Sequence, residues 1–148
     1  MQQTLILLKP DAVQRRLVGQ ITARFEAKGL RLVGLKLVAC SKDLAEKHYA
    51  VHKGKPFYDS LLSFLTSGPT VAMVWEGREA VAVCRTLMGV TDGAKAIPGT
   101  VRGDYAISVQ NNLVHGSDSP ENAATEVALW FKKEELVGWT TTDANWVG

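Results

Sequence analysis

The chain has 148 residues, a length typical of one domain. Apolar residues make up 46% and charged residues 22%, a balance that allows a sizeable core and excludes global disorder. The formal net charge of +2 is too small to argue for nucleic acid, yet leaves room for a local basic site facing an anionic small molecule.

Residues 1–10 lack a basic segment and a long apolar core, so no signal peptide is expected. Within them TLILL (4–8) is an almost wholly apolar run, which suits a buried central strand. It stops at Lys9-Pro10-Asp11, where proline blocks further pairing. Helical spacing follows through Val18, Ile21 and Phe25 and ends at Gly29, a C-cap glycine. LRLVGLKLVAC (30–40) alternates and is rich in Val and Leu, predicting a second strand. Ser41-Lys42-Asp43 opens a helix through Leu44 and Tyr49. PFYDSLLSFLTSG (56–68) predicts a helix with Phe57, Leu61, Leu62 and Leu65 on its apolar side, closed by Gly68-Pro69. TVAMVWEG (70–77) predicts a third strand, and REAVAVCRTLMG (78–89) a helix closed by Gly89.

VTDGAKAIPGTVRGDYA (90–106) reads as a long loop, beyond the usual connection length, which favours a functional loop. NLVHG (112–116) predicts a fourth strand. Ser119 is placed as N-cap of the last helix, with Pro120 in its first turn, Asn122 where a capping box would want Glu or Gln, and an end at Trp130-Phe131. No apolar run approaches the ~18 residues needed to span a bilayer. Cys40 and Cys84 lie in apolar contexts without metal-ligand spacing and are expected as buried, reduced thiols. The element order β-α-β-α-α-β-α-β-α fits either a split βαβ sandwich or a small doubly wound sheet.

Two motifs are set aside. GVTDGAK (89–95) has three residues between its glycines rather than four, and Lys95 is followed by Ala96, so it is no phosphate loop. His48 and His52 share the i, i+4 spacing of zinc ligands, but no Glu follows His48 and no third ligand is evident. They are expected to be solvated or half-buried. Lys9, Arg85, Arg102, Phe57 and Glu126 each have a plain structural reading alone: a strand end, a surface ion pair, a solvated loop charge, a core ring and a solvated helix face. A functional reading requires them to converge.

The segment NNLVHGSDSPENA contains Asn-x-x-His-Gly-Ser-Asp-Ser and resembles the active-site signature of nucleoside diphosphate kinases. TLILLKPDAVQRRLVGQI, FEAKGLRLVGLKL, HYAVHKGKPFY, SGPTVAMVWEG, PGTVRGDY and ALWFKKEELVGW resemble the same family in order and spacing, from Thr4 to Trp146. The resemblance implies one α+β domain over residues 1–148, a ferredoxin-like βαββαβ sandwich with a four-stranded antiparallel sheet. It implies transfer of the γ-phosphate of a nucleoside triphosphate, mainly ATP, to a nucleoside diphosphate by a ping-pong route through a phosphohistidine, maintaining NTP and dNTP pools. The matching histidine is His115, whose imidazole can both accept and return a phosphoryl group.

Carried over by position, Lys9, Arg85, Thr91, Arg102 and Asn112 match phosphate and sugar contacts, where positive charge stabilises a loose transition state. Phe57 matches the ring on which the base stacks, with Leu61 and Val109 nearby. Ser117 and Glu126 match partners that hold the active ring, and Tyr49 a residue packed close to it. Mg2+ is expected on the nucleotide phosphates, without a dedicated protein cage. The resemblance also implies a cytoplasmic homo-oligomer, and the tail WTTTDANWVG favours a hexamer over a tetramer.

Two positions depart from the family's pattern: Ala12 replaces a common glycine, and Gly93 a common proline, which is expected to loosen the long loop. The rival readings are an RNA-binding ferredoxin-like module and a homologue that has lost catalysis. The RNP1 pattern is absent, and His115, Lys9, Arg102 and Asn112 are intact, so no specific nucleic acid is required.

Overall fold

The computed structural model describes all of residues 1–148. β1 (Gln2–Leu8) pairs antiparallel with β3 (Thr70–Gly77) on one side and β4 (Val114–Gly116) on the other. β2 (Arg31–Val38) completes the sheet against β3, giving the order β2-β3-β1-β4. Every pairing is antiparallel, which excludes the doubly wound alternative and leaves the βαββαβ sandwich.

Side chains of a strand point alternately to the two faces, and here both faces are covered. Ile6, Leu8, Met73 and Trp75 pack against Ile21 and Phe25 of α2 (Val18–Ala27) and Cys84 and Met88 of α5 (Ala80–Met88). Leu5, Leu7, Ala72 and Val74 face the other helices: α3 (Lys42–His48), α4 (Tyr58–Leu65) and α7 (Pro120–Trp130). Burial on both faces is why the centre of β1 shows no polar alternation. Cys40 and Cys84 are buried and free, as expected.

Three short α-helices lie outside the sequence reading, the third at the end of the chain. α1 (Pro10–Gln14) starts on the proline that ends β1, because its fixed φ suits a first helical position. α6 (Val101–Tyr105) lies inside the long loop, and Thr100 caps it by accepting from the Gly103 N–H at 2.9 Å. Three predicted caps hold, whereas α4 stops at Leu65 under a Thr66 cap and not at Gly68. Gly29 has φ +104° after α2, Gly89 has φ +84° after α5, and Ser119 accepts from the Asn122 N–H at 3.1 Å. α8 (Ala144–Val147) closes the chain.

Two expectations are corrected. Phe57 is not on the apolar side of α4. It precedes the first helical residue and is 47% exposed, while Leu62 and Leu65 carry that helix's burial. Gly93 is not a loosened position either. Its N–H donates to the Ser108 carbonyl at 3.2 Å, and an added Cβ would stand 2.5 Å from the Ala106 carbonyl carbon.

Candidate active site

An open cleft of about 880 Å³ runs between α3, α4 and the loop that follows α5. It gathers Lys9, Tyr49, Phe57, Leu61, Arg85, Thr91, Arg102, Val109, Asn112, His115 and Glu126 from across the chain. Of the residues singled out by sequence, Ser117 alone does not line the cleft. It is fully buried behind it.

His115 is the middle residue of β4, an edge strand only three residues long. Its approach is strained: Leu113 has φ +75° at the centre of a tight turn closed by the Val114 N–H on the Asn112 carbonyl at 2.8 Å, a positive φ that costs a non-glycine residue on the order of 1–3 kcal/mol. Three interactions hold it. Leu113 is wholly buried, its N–H donates to Asp11 Oδ2 at 3.1 Å, and its carbonyl accepts from the Lys9 N–H at 2.8 Å. The turn that ends β1 thereby fixes how the strand carrying His115 begins.

His115 Nε2 lies 2.9 Å from Glu126 Oε1, which also accepts from Ser117 Oγ–H at 2.7 Å. Burial pushes the Glu126 carboxyl up, but the hydrogen bonds from His115 and Ser117 outweigh it and hold it below the usual range. An ionised carboxylate only accepts, so Nε2 carries the proton. In the neutral form of the ring Nδ1 then carries the free lone pair.

The cations form a linked set. Lys9 Nζ donates to Asn112 Oδ1 at 2.5 Å, and Asn112 Nδ2 donates to the Thr91 carbonyl at 3.0 Å. Burial lowers Lys9 to about 8, with Asp11 opposing and Arg102 reinforcing the shift. Arg102 is no solvated loop charge. It is 7% exposed, and it donates to the carbonyls of Asn112, Gly89 and Val114 at 3.2, 2.9 and 2.7 Å. Burial and the neighbouring Arg85 push it down to about 10, so it stays charged at neutral pH. Arg85 reaches back to the Gly116 carbonyl at 3.3 Å.

Phe57 stands at the cleft mouth with its ring 5.3 Å from His52 and Lys55 Nζ 5.9 Å from its centroid. Tyr49 packs on His48 at 4.7 Å, and it is His48 that meets the His115 ring, edge to face at 4.5 Å. His48 is therefore neither solvated nor half-buried. It is 9% exposed and takes a hydrogen bond on Nδ1 from Trp130 Nε1–H at 3.1 Å. Sequence reasoning missed both residues. The available signal was the spacing of Trp130 from Glu126, four positions apart on the last helix.

His48, His115 and Glu126 each offer a ligand atom within 4.8 Å of the others. As a metal site the set is compromised. Trp130 occupies His48 Nδ1, which puts the proton on Nε2, and Glu126 Oε1 is engaged twice. Magnesium prefers oxygen ligands, and the only carboxylates lining the cleft are Glu126 and Asp118, the latter bonded by Asn122 Nδ2 at 2.5 Å. The donor set suits a magnesium ion that arrives on phosphates, not one caged by protein.

A sequence profile described as nucleoside diphosphate kinase matches residues 2–136. Relatives of that name from Carboxydothermus hydrogenoformans and Trichodesmium erythraeum are each 58% identical over 147 residues, covering 99% of both chains. Among solved structures, a nucleoside diphosphate kinase from Halobacterium salinarum in complex with CDP superposes with TM-score 0.97 at 48% identity, covering 99% of this chain and 98% of that one. A family protein from Babesia bovis gives TM-score 0.97 at 44% identity with full coverage of both. With this agreement in sequence and fold, the chain belongs to the nucleoside diphosphate kinase family and is a phosphotransferase.

Proposed function

We propose that His115 carries the phosphoryl group between a nucleoside triphosphate and a nucleoside diphosphate. The observation that carries this reading is the His115–Glu126–Ser117 arrangement, which puts the ring proton on Nε2 and the lone pair on Nδ1. That lone pair attacks the γ-phosphorus, an N–P bond forms, and the bond to the leaving diphosphate oxygen breaks with its electron pair. The second nucleotide's terminal phosphate oxygen then attacks the same phosphorus and returns Nδ1 its lone pair. Glu126 holds the Nε2 proton throughout and offsets the positive charge that develops on the ring.

Lys9, Arg85 and Arg102 supply the charge that such a transfer requires on its equatorial and leaving oxygens. Thr91 and Asn112 supply polar contacts beside them. Phe57, exposed at the mouth, offers a face on which any base stacks, flanked by Leu61 and Val109. The Halobacterium salinarum relative binds CDP, which supports nucleotides as ligands here, with ATP as main donor. Mg2+ bound to the phosphates would supply further charge neutralisation there.

The chain works as one domain, because both cores share β1. No helix is long and apolar enough to cross a membrane, and the cytoplasmic site of action rests on the family resemblance alone. Incubation with γ-labelled ATP should give an acid-labile, base-stable phosphoenzyme that His115→Ala cannot form. Wild-type turnover by His115→Ala without added imidazole would overturn the assignment.

A further inference from the structure

Glu126 and Trp130 stand four residues apart on α7, hence on one face of the helix. Each engages a different imidazole. Glu126 accepts from His115 Nε2–H, while Trp130 Nε1–H donates to His48 Nδ1, and the two imidazoles meet edge to face at 80°. An indole nitrogen only donates, so Nδ1 of His48 is unprotonated. Resting on the reading of His115 as phosphoryl carrier, we propose that Trp130 is a positioning residue: it locks His48 as a neutral ring against which His115 is held, and so reserves the Glu126 carboxylate for His115.

The surroundings of His48 and the indole act in the same direction. Glu126 on α7 draws a proton towards it, whereas His115 on β4, Lys9 at the end of β1 and His52 on the turn after α3 repel one. Tyr49 packs against the same ring. Burial leads these influences and holds His48 down to about 3. A charged His48 would compete with His115 for Glu126 and would set a cation against the nucleophile. With the indole in place, a proton entering Nδ1 would meet another N–H, so charging His48 costs that hydrogen bond.

Trp130→Phe keeps an aromatic ring in the core and deletes the donor. Single-turnover phosphoenzyme formation is measured from pH ~4 to ~8, reaching down towards the value of about 3 at which buried His48 is held as well as across the range in which histidines ordinarily titrate, in wild type, Trp130→Phe and the double variant with His48→Phe. The acid limb of Trp130→Phe should move up by about one pH unit or more, which is a tenfold or greater loss of rate below it. The KM for ATP should hold, and the rate above the limb should approach wild type. The double variant should lose the shifted limb, because no imidazole remains to take the proton.

Mere damage to packing would slow transfer equally at every pH and would not be repaired by the second substitution; that result overturns the proposal, as does an unchanged profile. Imidazole 15N NMR of unmutated protein tests it without any variant. His48 should stay in the Nε2–H form across the range, and an Nδ1–H form would refute the lock. If wild type forms no phosphoenzyme, the His115 reading fails. If it does and Trp130→Phe matches wild type, only the role of Trp130 fails.

Discussion

Lys9 shows how one residue's surroundings set a pH dependence. Its ammonium is buried against Asn112, and burial lowers it to about 8, well below the 10.5 of a lysine in water. In the free enzyme it therefore begins to lose its charge in mildly alkaline solution. kcat/KM reports the free enzyme, so it should fall as pH rises through about 8. The limb in kcat should lie higher, because bound phosphates favour the ammonium. Lys9→Arg should remove the limb from kcat/KM, since guanidinium does not deprotonate in proteins, at some loss of rate from altered geometry. An unchanged alkaline limb in that variant would show that another group sets it. At this scale the sequence was informative where a motif named the residue, as for His115 and Lys9. It was uninformative for His48, because its neutrality comes from burial and from an indole 82 positions away.

The connection between α5 and β4 shows the limit of residue-by-residue carry-over at the scale of an element. Its composition, rich in Gly with one Pro, predicts a loop, and five of its residues instead form α6 under a Thr100 cap. Arg102 then ties α6 to the end of α5 and the start of β4 through three carbonyls. Such long-range bonds leave no periodic trace in sequence, which is why the helix and the burial of Arg102 went unread. Gly93 follows the same logic. Its N–H is bonded and its Cβ position is already occupied by Ala106 backbone. Gly93→Ala should therefore destabilise by about 1–3 kcal/mol, the usual cost of overpacking, and Gly93→Pro by more, because it also breaks the bond to Ser108. Urea unfolding gives the sign, and a raised midpoint for either variant would contradict the geometry.

At the scale of the whole molecule, the order of the main elements was readable because each carries its own period and cap. Sheet order was not, because strand partners are set by which faces the helices cover; the family resemblance implies an antiparallel βαββαβ sandwich, and the order β2-β3-β1-β4 is read from the structure. Apolar residues remain exposed at several places, among them Leu35 and Leu37 on the free edge strand β2, Val90, Ile97 and Ile107 on the α5–β4 connection, and Val137, Trp139, Trp146 and Val147 towards the C-terminus. Separate apolar surfaces on one chain suit assembly through more than one kind of contact, as the hexamer implied by the family resemblance would require. Light scattering should return six times the 16.1 kDa chain mass; a tetramer or monomer at working concentration would refute this.

The central claim is that the phosphoryl group rests on His115 between two nucleotides. Labelled phosphoenzyme, freed of ATP and mixed with unlabelled GDP, tests it most directly. The label should leave the protein and appear in GTP at a rate no slower than overall turnover. Label that stays on the protein while ATP-to-GDP transfer proceeds would contradict the account.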